Sequence, residues 1–231
     1  HRSGRRVSRL RNVRRRTPRR TDADRPGNRE MHILITAGPT REYIDSIRFL
    51  SNASTGKMGF ECAKAAVRIG HKVTLISGPT NLPDPKGAKT VRVVSALDML
   101  REVKKVYPKT DAVIATAAVS DYRPAKRVRG KRKKGEKTVS LELALNPDIL
   151  KTLGKKKGKR TLVGFALEVQ NARENALKKY REKNLDWIVL NGPTTLGAER
   201  MNASIYREGE IEKRFTNATK RQVANWLIRA L

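Results

Sequence analysis

The stretch SNASTGKMGFECAKAA, residues 51–66, carries a Gly-Lys pair at the entry to a helix-like pattern, in the manner of a phosphate-binding loop. No glycine stands five residues before Gly56, and Met58 takes the place where a nucleotide hydrolase needs a Mg²⁺-ligating Ser or Thr. That argues against hydrolysis of a γ-phosphate and for plain anion recognition. A helix N-terminus presents unpaired N–H groups and positive potential, so it can hold a phosphate or acyl phosphate without the complete loop. Ser51, Asn52, Ser54, Thr55 and Gly56 can supply backbone and hydroxyl donors, and Lys57 adds charge. The plainer reading of the same residues is an ordinary capped helix start.

Other polar segments stand where such a cleft needs them. TAGPTREYID, AAVSDYR and NPDIL each follow a run of strand character, and GFALE ends one. Those runs are HILITA (32–37), KVTLIS (72–77), VRVVS (91–95), DAVIATAAV (111–119), VSLELAL (139–145), RTLVGFAL (160–167) and DWIVLN (186–191). Between them lie helical patterns: Met58, Cys62, Ala65, Ala66 and Ile69 up to Gly70, SALDMLREVKKVY with Ser95 as cap, and NARENALKKYREK. Asn146 or Asp148 can cap a further helix. Nearly continuous apolar strands alternating with helices predict an α/β fold, a Rossmann-like doubly wound, mostly parallel sheet with helices on both faces. Such sheets bind ligands beyond the carboxyl ends of their strands. NASIYREGEIEKRFTN reads as a small β-hairpin turning at Glu208-Gly209, and the closing helix puts Val223, Trp226, Leu227 and Ala230 on one face.

Composition narrows the chemistry. The 231 residues carry 52 Lys+Arg against 22 Asp+Glu, a net +30, with 38% apolar residues and no apolar run long enough to span a bilayer. The excess charge suggests anionic partners: nucleic acid, or a phosphorylated substrate with a nucleoside triphosphate. A solvated basic surface accounts for part of it. Residues 1–30 hold twelve arginines, three acids and almost no apolar residues, so they are expected to be a disordered Arg-rich extension ahead of an α/β domain over 31–231. The ordinary domain opening MHILITAGPT favours an upstream extension at 1–30 over a nucleic-acid-binding arm. The single cysteine, Cys62, precludes an internal disulfide and fits a reducing cytoplasm; three scattered histidines argue against a zinc site.

The ordered motifs ITAGPTRE-YID, SN-x-S-x-GKMG, TLISGPTNLP, AAVSDYR, a downstream K-x-KK, LNPDIL and VGFALE resemble phosphopantothenoylcysteine synthetase, the coenzyme A biosynthetic ligase often fused behind a flavin-dependent decarboxylase. The resemblance runs from about Met31 onward and implies a stand-alone synthetase that forms homodimers. It implies joining of 4′-phosphopantothenate to L-cysteine through an acyl-nucleotide, with CTP or ATP and Mg²⁺. Metal ligands are not indicated, and neither a membrane nor a specific nucleic acid is expected.

The resemblance also implies roles. Asn52 and Lys131 correspond to catalytic positions, Lys131 sitting on the basic stretch 121–138 with Lys133 and Lys134 as partial substitutes. Ala118, Asp121, Lys131, Asn146, Pro147, Asp148, Ile149, Phe165, Lys179 and Lys183 correspond to nucleotide contacts, the 146–149 turn leaning toward a pyrimidine. Ser54, Thr55, Gly56 and Lys57 remain the expected phosphate or acyl contacts. The chain departs from the family at Asn191-Gly192-Pro193, at GFALEV and over 193–206. Two rival readings stand beside it. An NAD(P)-dependent oxidoreductase needs G-x-G-x-x-G after the first strand, where TAGPTRE has one glycine. A nucleic-acid-binding protein needs stacking aromatics, which make up 5% of this chain.

Overall fold

The computed structural model describes residues 29–133, 135 and 138–231. The expected extension over 1–30 therefore lies outside the described residues except for Arg29 and Glu30, and so does Lys134.

The first strand, β1 (His32–Ala37), is buried from Ile33 onward. A short hairpin of β2 (Arg41–Tyr43) and β3 (Phe49–Ser51) leads into α1 (Lys57–Arg68), followed by β4 (Lys72–Ser77) and β5 (Lys89–Arg92). Next come α2 (Ala96–Val106), β6 (Ala112–Ala115), β7 (Tyr122–Pro124), β8 (Leu143–Leu145) and α3 (Ile149–Gly154). The last elements are β9 (Thr161–Leu167), α4 (Ala172–Glu182), β10 (Trp187–Asn191), β11 (Arg200–Arg207), β12 (Glu210–Thr219) and α5 (Lys220–Ala230).

Eight strands make one sheet in the order β12-β11-β10-β9-β6-β1-β4-β5. The six from β10 to β5 are parallel, and the C-terminal hairpin adds β11 and β12 antiparallel at one edge. Its turn falls at Glu208 and Gly209, both at positive φ, as a two-residue hairpin turn requires. One face is covered by α1 and α5, whose Phe60, Cys62, Ala66, Val223 and Leu227 share a core with the sheet. The other is covered by α2, α3 and α4 through Met99, Val103, Ile149, Leu153 and Ala176. The doubly wound expectation therefore holds. From β1 the chain winds first toward β4 and β5, then back across to β6, β9 and β10. The loops after β1 and β6 consequently diverge, which is where such sheets open a crevice.

Three strand boundaries differ from expectation for identifiable reasons. The strand sought at 91–95 is Lys89–Arg92, because Val94 gives its carbonyl to Arg41 N (2.8 Å) and Ser95 turns away to cap α2. The run 111–119 is sheet strand only to Ala115. Beyond it Thr116 N and Ala118 N bond to Thr36 O and Gly38 O, so the chain follows the loop leaving β1. The alternating run 139–145 pairs only over Leu143–Leu145, with β7, in a ribbon outside the main sheet. Its apolar residues have no sheet face to cover, and Val139, Leu143 and Leu145 stay exposed.

Candidate functional site

Helix α1 starts at Gly56, whose left-handed backbone (φ 78°) no Cβ-bearing residue adopts without strain. A Cβ there would also lie 3.1 Å from the Cα of Gly38 in the loop after β1. Gly56 has no side chain with which to cap this helix start; Gly56 N donates to Ser54 Oγ (3.3 Å) and Lys57 N to Thr55 Oγ1 (3.4 Å). Gly59 has a separate task. A Cβ on it would sit 2.5 Å from both Ala37 Cβ and Thr116 Oγ1, so its bare Cα lets α1 lie directly on the end of β1 and the residue just past β6. The two glycines of GKMG thus set a phosphate-loop-like helix start onto the sheet.

Two cavities open at the carboxyl ends of β6 and β9. The first, about 240 Å³, is lined by Ser54, Thr55, Gly56 and Lys57 on one side and by Thr195, Gly197 and Lys220 on the other. The second, about 470 Å³, is lined by Ser120, Asp121, Asn146, Pro147, Asp148, Ile149 and Lys183 among others. Ala117, Val119 and Phe165 belong to both, so the cavities adjoin across that seam. Ala118 lies at the same seam, lining the first cavity.

The expected residues divide accordingly. The backbone carbonyl of Ala118 accepts from Asn52 Nδ2 at 3.1 Å, which brings the exposed Asn52 to the seam although it lines neither cavity. Asn146 is buried, and its side chain is committed to the protein: Nδ2 donates to Ser120 O (2.9 Å) and Oδ1 accepts from Arg123 Nη1 (3.1 Å). What the 146–149 turn can offer a ligand is therefore mainly backbone. Asp148 caps α3 by accepting from Lys151 N and pairs with Lys183 at 2.8 Å. Burial works to raise the Asp148 carboxyl, but the Lys151 N–H and the Lys183 ammonium outweigh it and hold it below its ordinary value.

Lys179 lies apart from both cavities, bonded at 2.6 Å to Glu168 just past the end of β9. Lys183 has left the helix as its C-terminal cap, so the pair does not reach a common cavity. Lys131 is exposed on a loop fastened to the β2–β3 turn: Ser46 N donates to Gly130 O (3.0 Å), and Asp45 accepts from Arg132 N (3.2 Å). It lines neither cavity.

Sequence reasoning passed over Lys220 and Thr195, and it marked TAGPTREYID as a segment without singling out its buried polar trio Thr40, Glu42 and Asp45. Thr40 Oγ1 accepts from Ser120 N (3.0 Å) and Glu42 Oε1 from Ala96 N (2.9 Å), so the conspicuous TAGPTREYID segment mainly holds neighbouring loops. Lys220 opens the closing helix, in which only the apolar face of Val223, Trp226, Leu227 and Ala230 stood out in the sequence. The polar residues of that segment gave the available signal, since carboxylates and hydroxyls packed so densely after a buried strand need backbone partners.

The pattern described as the DNA/pantothenate metabolism flavoprotein C-terminal domain matches residues 28–231. The chain belongs to this family. Among its relatives is the coenzyme A biosynthesis bifunctional protein CoaBC of Bacillus subtilis, 51% identical over 168 residues that make up 72% of this chain and 41% of that protein. The CoaBC of Borreliella burgdorferi is 39% identical over 202 residues, 86% of this chain and 52% of the relative. The chain thus spans roughly half the length of the curated relatives it matches. The crystal structure of a CoaBC C-terminal domain is 43% identical, with a TM-score of 0.76 over 89% of this chain and 96% of the other. The CoaBC C-terminal domain and this chain therefore share the same α/β fold. No helix among the described residues is long and apolar enough to cross a membrane.

Proposed function

We propose that the chain joins 4′-phosphopantothenate to L-cysteine at the seam between the two cavities, through an acyl-nucleotide. The observation that carries this reading is their adjacency: a cation-bearing cavity over a helix N-terminus meets a cavity lined by Asp121 and the 146–149 turn. The first suits a phosphate and the second a nucleoside. In the first step a carboxylate oxygen of the acid attacks the α-phosphorus of the nucleotide and pyrophosphate leaves. In the second the cysteine amine attacks the acyl carbon, the nucleoside monophosphate leaves with the former carboxylate oxygen, and the amine gives up a proton.

Negative charge crowds both steps, so donors and cations aimed at it supply most of the acceleration. Asn52 spends Nδ2 on Ala118 O, which leaves Oδ1 to orient the incoming amine or the acyl-nucleotide. Lys131, on the loop held by Asp45, neutralises charge as pyrophosphate departs. Asp121 accepts from ribose or base, Phe165 packs against the nucleotide, and Lys183 stands at the far side of its cavity. Lys179 acts from outside the cavity wall once freed from Glu168.

The nucleotide is CTP or ATP, and the backbone of the Asn146–Ile149 turn favours the pyrimidine. Among the described residues no group of three or more His, Cys, Asp or Glu could cage a metal ion. Mg²⁺ would therefore arrive on the nucleotide's phosphates, as it usually does in phosphoryl-transfer sites. The ribbons β2–β3 and β7–β8 leave Ile47, Tyr122 and Leu145 exposed, and Leu145 also lines the nucleotide cavity. A second copy of the chain docking there would cover that apolar surface and finish the wall, which supports a homodimer.

The test is pyrophosphate release from phosphopantothenate and Mg²⁺ with CTP or ATP, with and without L-cysteine. Release with at least one nucleotide, and amide formation only with cysteine, is expected. No release under any combination overturns the reading.

A further inference from the structure

Lys220 opens α5, yet it is only 7% exposed, and its side chain reaches the first cavity. Its ammonium donates to the carbonyl oxygen of Thr195 at 3.2 Å, which uses one of three N–H donors. Lys57 lines the same cavity and its ammonium pairs with Glu199, a carboxylate whose side chain is 77% exposed. Two lysines thus line one small cavity, together with Ser54, Thr55, Gly56 and Met58 at the start of α1. Burial and the neighbouring Lys57 charge both push the Lys220 ammonium below its ordinary value, against the pull of Glu199. A buried cation is costly unless paired, and one neutral carbonyl is a poor counterpart for it.

We infer that Lys220 and Lys57 form a two-cation subsite for a phosphate group, with Thr195 O as the resting partner of Lys220 and Glu199 as that of Lys57. This rests on the proposed reaction, because it assigns the phosphate end of one of its substrates. The phosphate moves in between the two ammonium groups, Glu199 yields Lys57 to it, and the exposed carboxylate returns to water at little cost. Two substrates bring suitable phosphate: the phosphomonoester of the acid and the terminal phosphates of the nucleotide. No bond is made or broken at this subsite.

The test uses the full chain with Lys220→Met, which keeps the apolar stem, and Lys220→Arg. The KM of each substrate is measured at saturation of the other, beside a thermal melt. The expected result is a rise of about 10- to 100-fold in one KM for Lys220→Met, with partial recovery in Lys220→Arg and a melt no lower than the parent's. The substrate whose KM moves identifies which phosphate occupies the subsite. Both KM values unchanged would overturn the inference. A second measurement needs neither variant nor turnover: amine acetylation of the parent chain, followed residue by residue by mass spectrometry, with and without inorganic phosphate and pyrophosphate. Selective protection of Lys57 and Lys220 supports the subsite even in a chain that releases no pyrophosphate. Equal labelling with and without the anions refutes it, whatever the activity.

Discussion

The carboxylate of Asp45 accepts the backbone N–H of Arg132 at 3.2 Å and so fastens the loop that carries Lys131 to the turn between β2 and β3. The same carboxylate takes the N–H groups of Ile47 and Arg48 at 2.8 and 2.7 Å, and Arg48 Nη2 donates to Arg132 O at 2.7 Å. Asp45 is wholly buried in this clasp, outside both cavities. In the proposed reaction Asp45 thus acts on Lys131 by position alone.

Misplacing a catalytic group by about 1 Å costs on the order of 100-fold. Asp45→Asn is therefore expected to lower the rate of pyrophosphate release about 10- to 100-fold while the KM values change little. Proteolysis of the folded protein should at the same time cut faster near Lys131. A parent-like rate together with a parent-like digest would show that the clasp does not govern the loop.

The clasp also sets an acid dependence. The N–H groups of Arg48 and Ile47, aided by Arg132, hold the Asp45 carboxyl down to about 2 against the opposing effect of burial. An unfolded aspartate titrates near ~3.9. The folded pKa is the lower one, so this stabilisation is complete above the unfolded value and fades as pH falls toward about 2. Denaturant melts should show Asp45→Asn less stable than the parent at neutral pH, with the gap narrowing between pH ~4 and ~2. A gap of constant size would mean that Asp45 is not ionised in the fold.

The roles given to Lys131 and Asn52 separate kinetically. Lys131→Gln is expected to suppress nucleotide transfer, with pyrophosphate release falling at least about 100-fold, the scale of losing one charge-stabilising donor. Asn52→Asp should still release pyrophosphate, while the acyl-nucleotide builds up and amide formation lags. Rapid-quench analysis of the intermediate distinguishes the two, and equal mild losses in both variants would show the assignment to be wrong.

Gly59 offers a stability test. On an open helix, replacing glycine by alanine gains roughly 0.5–1 kcal/mol. Here the new methyl would meet Ala37 Cβ and Thr116 Oγ1 at 2.5 Å, so overpacking of about 1–3 kcal/mol prevails. Gly59→Ala is expected to lower Tm by several degrees, at about 2–4 °C per kcal/mol for a domain of this size. A raised Tm would show that α1 has room to lift off the sheet.

Much of the architecture was legible where period and punctuation agreed. β1, α1, β4 and β10 fall within a residue of expectation because each apolar run is bounded by a glycine or a cap. The β2–β3 hairpin was not legible. Its strands have three residues each, too few for alternation to register, and their order comes from partners such as Gly130 and Arg132 far along the chain. The site was readable as a set of strand ends, since the crevice follows from where the winding reverses. Its division into two cavities was not, because that depends on Lys220 and Thr195 arriving from the other end of the sequence. Charge alone could not tell Lys220, which is buried, from Lys213 on an exposed strand.

The packing of α5 beside α1 has a bearing on how the molecule comes into being. During synthesis the second cavity, the one proposed for the nucleoside, has all its lining residues once Lys183 has left the ribosome. The first cavity, proposed for the phosphate, still lacks a wall until Lys220 emerges and α5 docks. On the proposed reaction, a nascent chain would thus complete its nucleoside cavity before the neighbouring phosphate cavity, whose walls come from segments more than 150 residues apart in the sequence, Lys57 and Lys220.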